Sequence, residues 1–308
     1  MKKTTMLKQL ILDSEILVMP AAYDVLSAKI IEKLEFKAIQ CSGFGIAASY
    51  LGLPDVAVLT MSQMLEITRN ICSAVNVPVM ADGDTGFGNA VNTYYTVKQF
   101  EEAGAAGINL EDQVFPKRCG HMSGKQIISI DEMVMKIRAA TLARKDPDFV
   151  INARTDAIAI NGVEEAVRRG NAYAEAGATM IFVEAPQSID QIKYVIKSIN
   201  APVSINMLQG GRTPVVTIKQ LEEWGAARVS IPVSPVFIAA KSLHDGLKKI
   251  KECGDIRVVN DSVFSFEEFT ALVDLPFIRS LENQLLTDCE IEARYGTRQE
   301  LESKIKQA

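Results

Sequence analysis

The amino-acid sequence predicts a (β/α)8 TIM-type barrel carrying a C-terminal helical extension. Two observations carry this prediction. Short apolar runs recur, each ending in a polar residue and followed by an amphipathic stretch of helical period: ILVMPAAYD, KAIQCSG, VPVMADGD, AGINLED, FVINARTD, MIFVEAP, PVSINM and RVSIPVS. Runs that are apolar throughout suit strands buried on both faces, and intervening helices suit a parallel sheet. The second observation is a phrase that closes three of the helices, EEAGAAGINLED (101–112), AEAGATMIFVEA (174–185) and EEWGAARVSIP (222–232). Each places a glycine, Gly104, Gly177 or Gly225, where a helix C-terminus needs positive φ, just before the next strand. The alternative is an open doubly wound sheet, but no G-x-G-x-x-G turn follows the first strand, and eight units are what closure needs.

Taken in order, the strand ends supply the candidate chemistry, because barrel active sites lie at the C-terminal ends of the strands. The first run ends in Tyr23-Asp24. The second ends in Ser42-Gly43, the third in Asp82-Gly83-Asp84, the fourth in Glu111-Asp112, the fifth in Arg154, the sixth in Glu184 and the seventh in Asn206. A single carboxylate there would most often be a helix N-cap. Asp82, Asp84 and Glu111 on adjacent strands would repel unless a cation neutralised them, and oxygen ligands without a nearby histidine select Mg²⁺ or Mn²⁺ over zinc.

After the fourth strand the loop QVFPKRCGHMSGKQII (113–128) sets Lys117, Arg118, Cys119, Gly120 and His121 side by side, with Pro116, Gly120 and Gly124 as a hinged lid would have them. Cationic neighbours favour the thiolate, so Cys119 is a candidate for proton transfer. Zinc ligation by Cys119 and His121 is the rival, but two ligands do not complete a tetrahedral site. His244 receives no role, and Cys41, Cys72, Cys253 and Cys289 read as structural. Beyond the eighth strand the expected boundary is at 253/254, giving a catalytic barrel (1–253) and a helical extension (254–308) that packs on the barrel or on a neighbouring subunit.

Composition bounds the rest. The 308 residues are 48% hydrophobic and 23% charged, with a net charge of −5. There is apolar material for one large core and no broad positive field for nucleic acid or an anionic membrane. Five scattered cysteines with no C-x-x-C pair suggest reduced thiols. Asp13 and Glu15 interrupt the apolar start before a signal-type stretch forms, and no apolar run is long enough to span a membrane, so a cytoplasmic location is expected.

These residues resemble the isocitrate lyase and phosphoenolpyruvate mutase superfamily, through SGFGIAASYLGLPD (42–55), ADGDTGFGN (81–89), LEDQVFPKRCGH (110–121), NARTDA (152–157), FVEAP (182–186) and NMLQGGRTP (206–214). The similarity covers roughly residues 10 to 250, and the K-R-C-G-H element marks the lyase branch. The resemblance implies a Mg²⁺-dependent lyase (Mn²⁺ substituting) that cleaves a 2-hydroxy dicarboxylate to pyruvate and a second carboxylate. Ser42, Gly43 and Phe44, with Arg154, would hold the pyruvyl end. Asp82 would touch the metal, with Asp84 and Glu111 holding it through water. Cys119 would protonate the departing carbanion, assisted by His121 and Lys117 and with Gly120 beside it. Glu184, Asn206, Gly210 and Gly211 would complete the shell. It also implies a homotetramer with a C-terminal helix exchanged between subunits.

Two departures bear on substrate. Gln40 stands where relatives commonly carry an aromatic residue. Phe237 stands where methylisocitrate lyases have an arginine, which favours a leaving half that bears methyl groups, as in 2,3-dimethylmalate, since an apolar ring would strand a buried carboxylate. Methylisocitrate lyase, an oxaloacetate hydrolase or decarboxylase and a phosphonomutase are the near alternatives, and a silent ligand-binding barrel is the distant one.

Overall fold

The computed structural model describes residues 1–120 and 122–306. Eight parallel strands, β1 (Leu17–Ala22), β2 (Ile39–Cys41), β3 (Val79–Asp82), β4 (Gly107–Glu111), β5 (Val150–Thr155), β6 (Met180–Val183), β7 (Val203–Asn206) and β8 (Arg228–Ile231), form a closed barrel in sequence order. Closure is made by β1 against β8, with Leu17 opposite Arg228 and Pro20 opposite Ile231. The strands are buried almost throughout, because helices cover them outside and side chains fill them inside.

Local chemistry sets the element boundaries. Asp24, Thr60, Asn89 and Thr217 cap the helices that follow β1, β2, β3 and β7 in reciprocal capping boxes, satisfying amides that the first turn leaves without partners. Gly104, Gly177 and Gly225 have φ of 93°, 110° and 88°, the left-handed geometry their position in the repeated phrase calls for.

The core has two layers. The larger lies between strands and helices and includes Ile71, Val97, Phe100, Ile137, Tyr173 and Ile192. The smaller fills the lower barrel, where Leu7 and Ile11 of the N-terminal helix Lys3–Leu12 meet Leu17, Met19, Met80, Val150 and Met180. That helix plugs the end of the barrel opposite the strand C-termini.

Two compact units are present, Met1–Ile238 and Ala239–Ala308. The division falls inside the helix Ser234–Cys253, whereas the sequence reading set the boundary at its end. The second unit is helical, with Phe266–Leu272, Leu275–Leu285, Asp288–Tyr295 and Arg298–Lys306 following a 3-10 segment, Ile256–Ser262. It buries Val259, Leu272, Ile291 and Leu301 and leaves Phe264, Phe266, Phe277 and Leu285 exposed. Cys41 and Cys72 are buried, but Cys253 and Cys289 are exposed, so the last two do not serve a core. Among the described residues no helix is long and apolar enough to cross a membrane.

Candidate active site

The polar strand ends converge on one cavity of about 70 Å³, whose walls include Ser42, Gly43, Phe44, Asp82, Cys119, Gly120, Arg154, Glu184 and Asn206. Residues far apart in sequence meet because each ends its own strand or, for Cys119 and Gly120, sits on the loop folded over them. The structure also brings in Gln40, Asp55, Asn109, Lys117, Arg228 and Ser230, of which the sequence points to a role only for Lys117. Asp84 and Glu111 lie just behind the wall, and Gly210 and Gly211 are outside it, with Leu208 in their place. His121 lies outside the described residues.

Arg154 organises one side. Its Nε and Nη2 donate to the two carboxylate oxygens of Asp156 at 2.8 and 3.1 Å, and its other contacts are Glu111 at 3.3 Å and Glu184 at 3.2 Å. The guanidinium also stacks over Phe182 at 5.1 Å. Although burial works against its charge, Asp156, Glu184 and Glu111 hold its pKa well above the ordinary value. Asp156, opposed by burial but facing Arg154 and Lys125, is drawn down to about 2. This fork-to-carboxylate geometry fixes the plane of the guanidinium.

Lys117 organises the other side. Its buried ammonium donates to both oxygens of Asp55 at 2.7 and 2.9 Å and pairs with Asp84 at 2.9 Å. Burial pushes Asp84 up to about 6 against the pull of Lys117, and burial likewise raises Glu111 well above the usual carboxylate range despite Arg154 and Lys117. Asp82 binds the backbone: Oδ2 accepts from the Gly43 amide at 2.9 Å and Oδ1 from the Asp84 amide at 3.1 Å. A Cβ on Gly43 would fall 2.7 Å from Asp82 Oδ2, so only glycine admits this approach. The Ser42 hydroxyl accepts from the Gly45 amide and donates to the Pro232 carbonyl, tying β2 to the end of β8.

The loop above is fastened at several points. An isolated antiparallel bridge between Gln113 and Ile127 closes its base. The Gln113 side chain accepts from the Arg118 amide and donates to the Arg118 carbonyl, and the Cys119 amide donates to the Asp55 carbonyl at 3.1 Å. Lys125 donates to the Gly120 carbonyl and to Asp156. Cys119 is half-buried and faces the same cavity as Asp82, whereas Arg118 is exposed and lines a separate outer recess. Of the two cations flanking the thiol in sequence, one is therefore committed to carboxylates and the other turns outward. The sequence does not reveal Asp55 and Lys125, because their ion-pair partners, Lys117 and Asp156, lie dozens of residues away.

The donor chemistry suits a hard cation. Carboxylates outnumber the cations that face them, Glu111 Oε1 is buried with no hydrogen-bond partner among the described residues, and both Asp84 and Glu111 resist ionisation as they stand. Among the described residues no three His, Cys, Asp or Glu side chains are gathered into a ready-made cluster.

Fold and cavity together define a barrel enzyme that handles small anions, with paired cations, a carboxylate group and a thiol under a fastened loop. The phosphoenolpyruvate phosphomutase family model matches residues 7–251. The chain is 42% identical to 2,3-dimethylmalate lyase of Eubacterium barkeri over 93% of its length and 99% of that enzyme's. It is also 42% identical to the chloroplastic carboxyvinyl-carboxyphosphonate phosphorylmutase of Arabidopsis thaliana, over 95% of this chain and 84% of that one. A solved structure of phosphonopyruvate hydrolase in complex with oxalate and Mg²⁺ superposes with a TM-score of 0.85 at 36% identity, covering 93% of this chain and 100% of that chain. The chain belongs to the phosphoenolpyruvate mutase/isocitrate lyase superfamily, in the lyase branch with the dimethylmalate and methylisocitrate lyases, and is an enzyme of the carbon–carbon lyase type.

Proposed function

We propose that this enzyme cleaves a small 2-hydroxy dicarboxylate, best fitted by 2,3-dimethylmalate, to pyruvate and propionate, with Cys119 as proton donor. The observation that carries the reading is that Cys119, Arg154 and Asp82 line one cavity. Arg154 orients the 2-hydroxy acid end and offsets its negative charge in a site of low dielectric. Loss of the hydroxyl proton turns that carbon into the pyruvate carbonyl as the C2–C3 bond breaks. The electron pair stays on C3, and the Cys119 thiol transfers its proton there to give propionate. The thiolate must regain a proton before the next turnover, so hydroxyl and thiol exchange one proton per cycle.

Asp82, Asp84 and Glu111 would hold Mg²⁺, which, when bound, lowers the pKa of the substrate hydroxyl and offsets developing charge. The fastened loop excludes water from the carbanion. Phe44, on the cavity wall, meets edge to face at 5.9 Å the ring of Phe237, which is exposed and not among the cavity's walls, and this apolar flank supports a methylated leaving half over one with a further carboxylate. The exposed apolar residues of the second unit support a homotetramer built through exchanged C-terminal helices, which light scattering would read as four times the chain mass.

Pyruvate release should be followed over dimethylmalate, methylisocitrate, citramalate and oxaloacetate. The expected result is the highest kcat/KM on dimethylmalate, loss of activity in EDTA and its return with Mg²⁺ or Mn²⁺. Preference for methylisocitrate, oxalate formed from oxaloacetate, or full activity without metal would each replace this reading.

A further inference from the structure

Arg228 opens β8 and points into the barrel, where it is 0% exposed. Its contacts are neutral without exception: Nε donates to Ser204 Oγ at 2.8 Å, Nη1 to Gln40 Oε1 at 3.2 Å, and Nη1 also lies 3.0 Å from the Met80 sulfur. Among the described residues no carboxylate forms an ion pair with it. Arg154, Lys117, Lys125 and Arg169 each face a carboxylate within about 3 Å, and Lys136, the other buried cation without an ion pair among the described residues, donates to the Thr85 carbonyl and lines no part of the cavity. Burial alone acts on the Arg228 pKa, pushing it down to about 9, so the guanidinium is charged at neutral pH.

An unpaired buried cation is a costly thing to keep in a core. Here it is held in place with care. Gln40 donates through Nε2 to the Cys41 and Met80 carbonyls, at 2.7 and 3.3 Å, which turns its Oε1 toward the guanidinium. Both Arg228 and Gln40 also line the active-site cavity. Neutral acceptors orient a guanidinium without cancelling its charge, which is the arrangement of an anion receptor awaiting a carboxylate.

We propose that Arg228, oriented by Gln40 and Ser204, is the specificity-determining receptor for the substrate's second carboxylate. This rests on the cavity being the substrate site, and it accounts for how a dicarboxylate is chosen although Phe237 supplies no charge. Arg154 then serves the end that becomes the keto acid, and Arg228 the end that leaves.

The test compares two four-carbon 2-hydroxy acids that differ in one carboxylate, malate and 2-hydroxybutyrate, by calorimetric titration of the full-length protein with Mg²⁺ present. Wild type should bind malate at least tenfold more tightly than 2-hydroxybutyrate. In Arg228→Met, which matches its Met19 and Met80 surroundings, that ratio should fall to within about twofold while 2-hydroxybutyrate affinity is unchanged. Should that variant fail to fold, Arg228→Lys, which keeps the charge but loses the planar fork, should lower the ratio several-fold. A wild type without the preference, or a folded variant that retains the full ratio, overturns the proposal. Because the readout is binding, it stands apart from the turnover assay: absence of pyruvate release from dimethylmalate would sink the assigned reaction and leave the receptor to be judged on the ratio alone.

Discussion

Cys119 is a residue whose neighbours in space differ from its neighbours in sequence. The K-R-C-G-H run suggests a thiol flanked by two cations, yet Lys117 is spent on Asp55 and Asp84 and Arg118 faces outward. What makes Cys119 a plausible donor is its position over the cavity. Cys119→Ser preserves shape and hydrogen bonding but presents a far weaker acid, so kcat on the true substrate should fall by about 10² or more, as for loss of a general acid, with melting temperature unchanged. Near wild-type turnover by the serine enzyme, measured by coupled pyruvate release, would take the thiol out of the chemistry. Gly120 next to it is required for the same fit: a Cβ there would lie 2.5 Å from Arg154 Nη2 and from Glu184.

The elements divide into those that local chemistry determines and those that only tertiary contact determines. The strand–helix joints were readable because a capping residue, a positive-φ glycine and an apolar run act within a few positions of each other. The glycines and proline of the loop after β4 suggest a hinged segment, but its fastening cannot be read from them, since Lys125 reaches Asp156 and Lys117 reaches Asp55 across long stretches of chain. Lys125 is the link that joins the loop to the Arg154 side of the site. In Lys125→Met, Asp156 retains its bidentate bonds to Arg154, so the cost should fall below the roughly 3–5 kcal/mol of stranding a buried charge. The loop itself should loosen, and trypsin should then cut after the exposed Arg118 at least tenfold faster than in wild type, as read by mass spectrometry of the fragments. An unchanged cleavage rate would mean that the Gln113 clamp and the Cys119–Asp55 bond hold the loop without Lys125.

For the whole molecule, the acids behind the cavity would link stability to the proposed cation binding. Asp84 has its pKa raised from 3.8 to about 6, chiefly by burial, and Glu111 is likewise raised well above its ordinary value by the same cause. A carboxyl that holds its proton more tightly when folded adds stability that is complete below its unfolded pKa and is lost as pH rises through the folded one. Carboxylates shifted the other way, such as Asp146, Asp148 and Asp156, add stability that is already nearly complete at pH 5, above their ordinary value of 3.8, and they contribute a nearly constant amount from there to pH 7.5. In EDTA the melting temperature should therefore fall between pH 5 and pH 7.5, by a few degrees, since ~1 kcal/mol moves a domain of this class by about 2–4 °C. A divalent cation favours the ionised carboxylates and competes with their protons, so Mg²⁺ should raise the melting temperature more at pH 7.5 than at pH 5. Scanning calorimetry at both pH values, with EDTA and with Mg²⁺, decides the matter. A Mg²⁺ increment independent of pH would place the ion away from Asp84 and Glu111, and a melting temperature that climbs with pH in EDTA would show that these acids are already ionised without it.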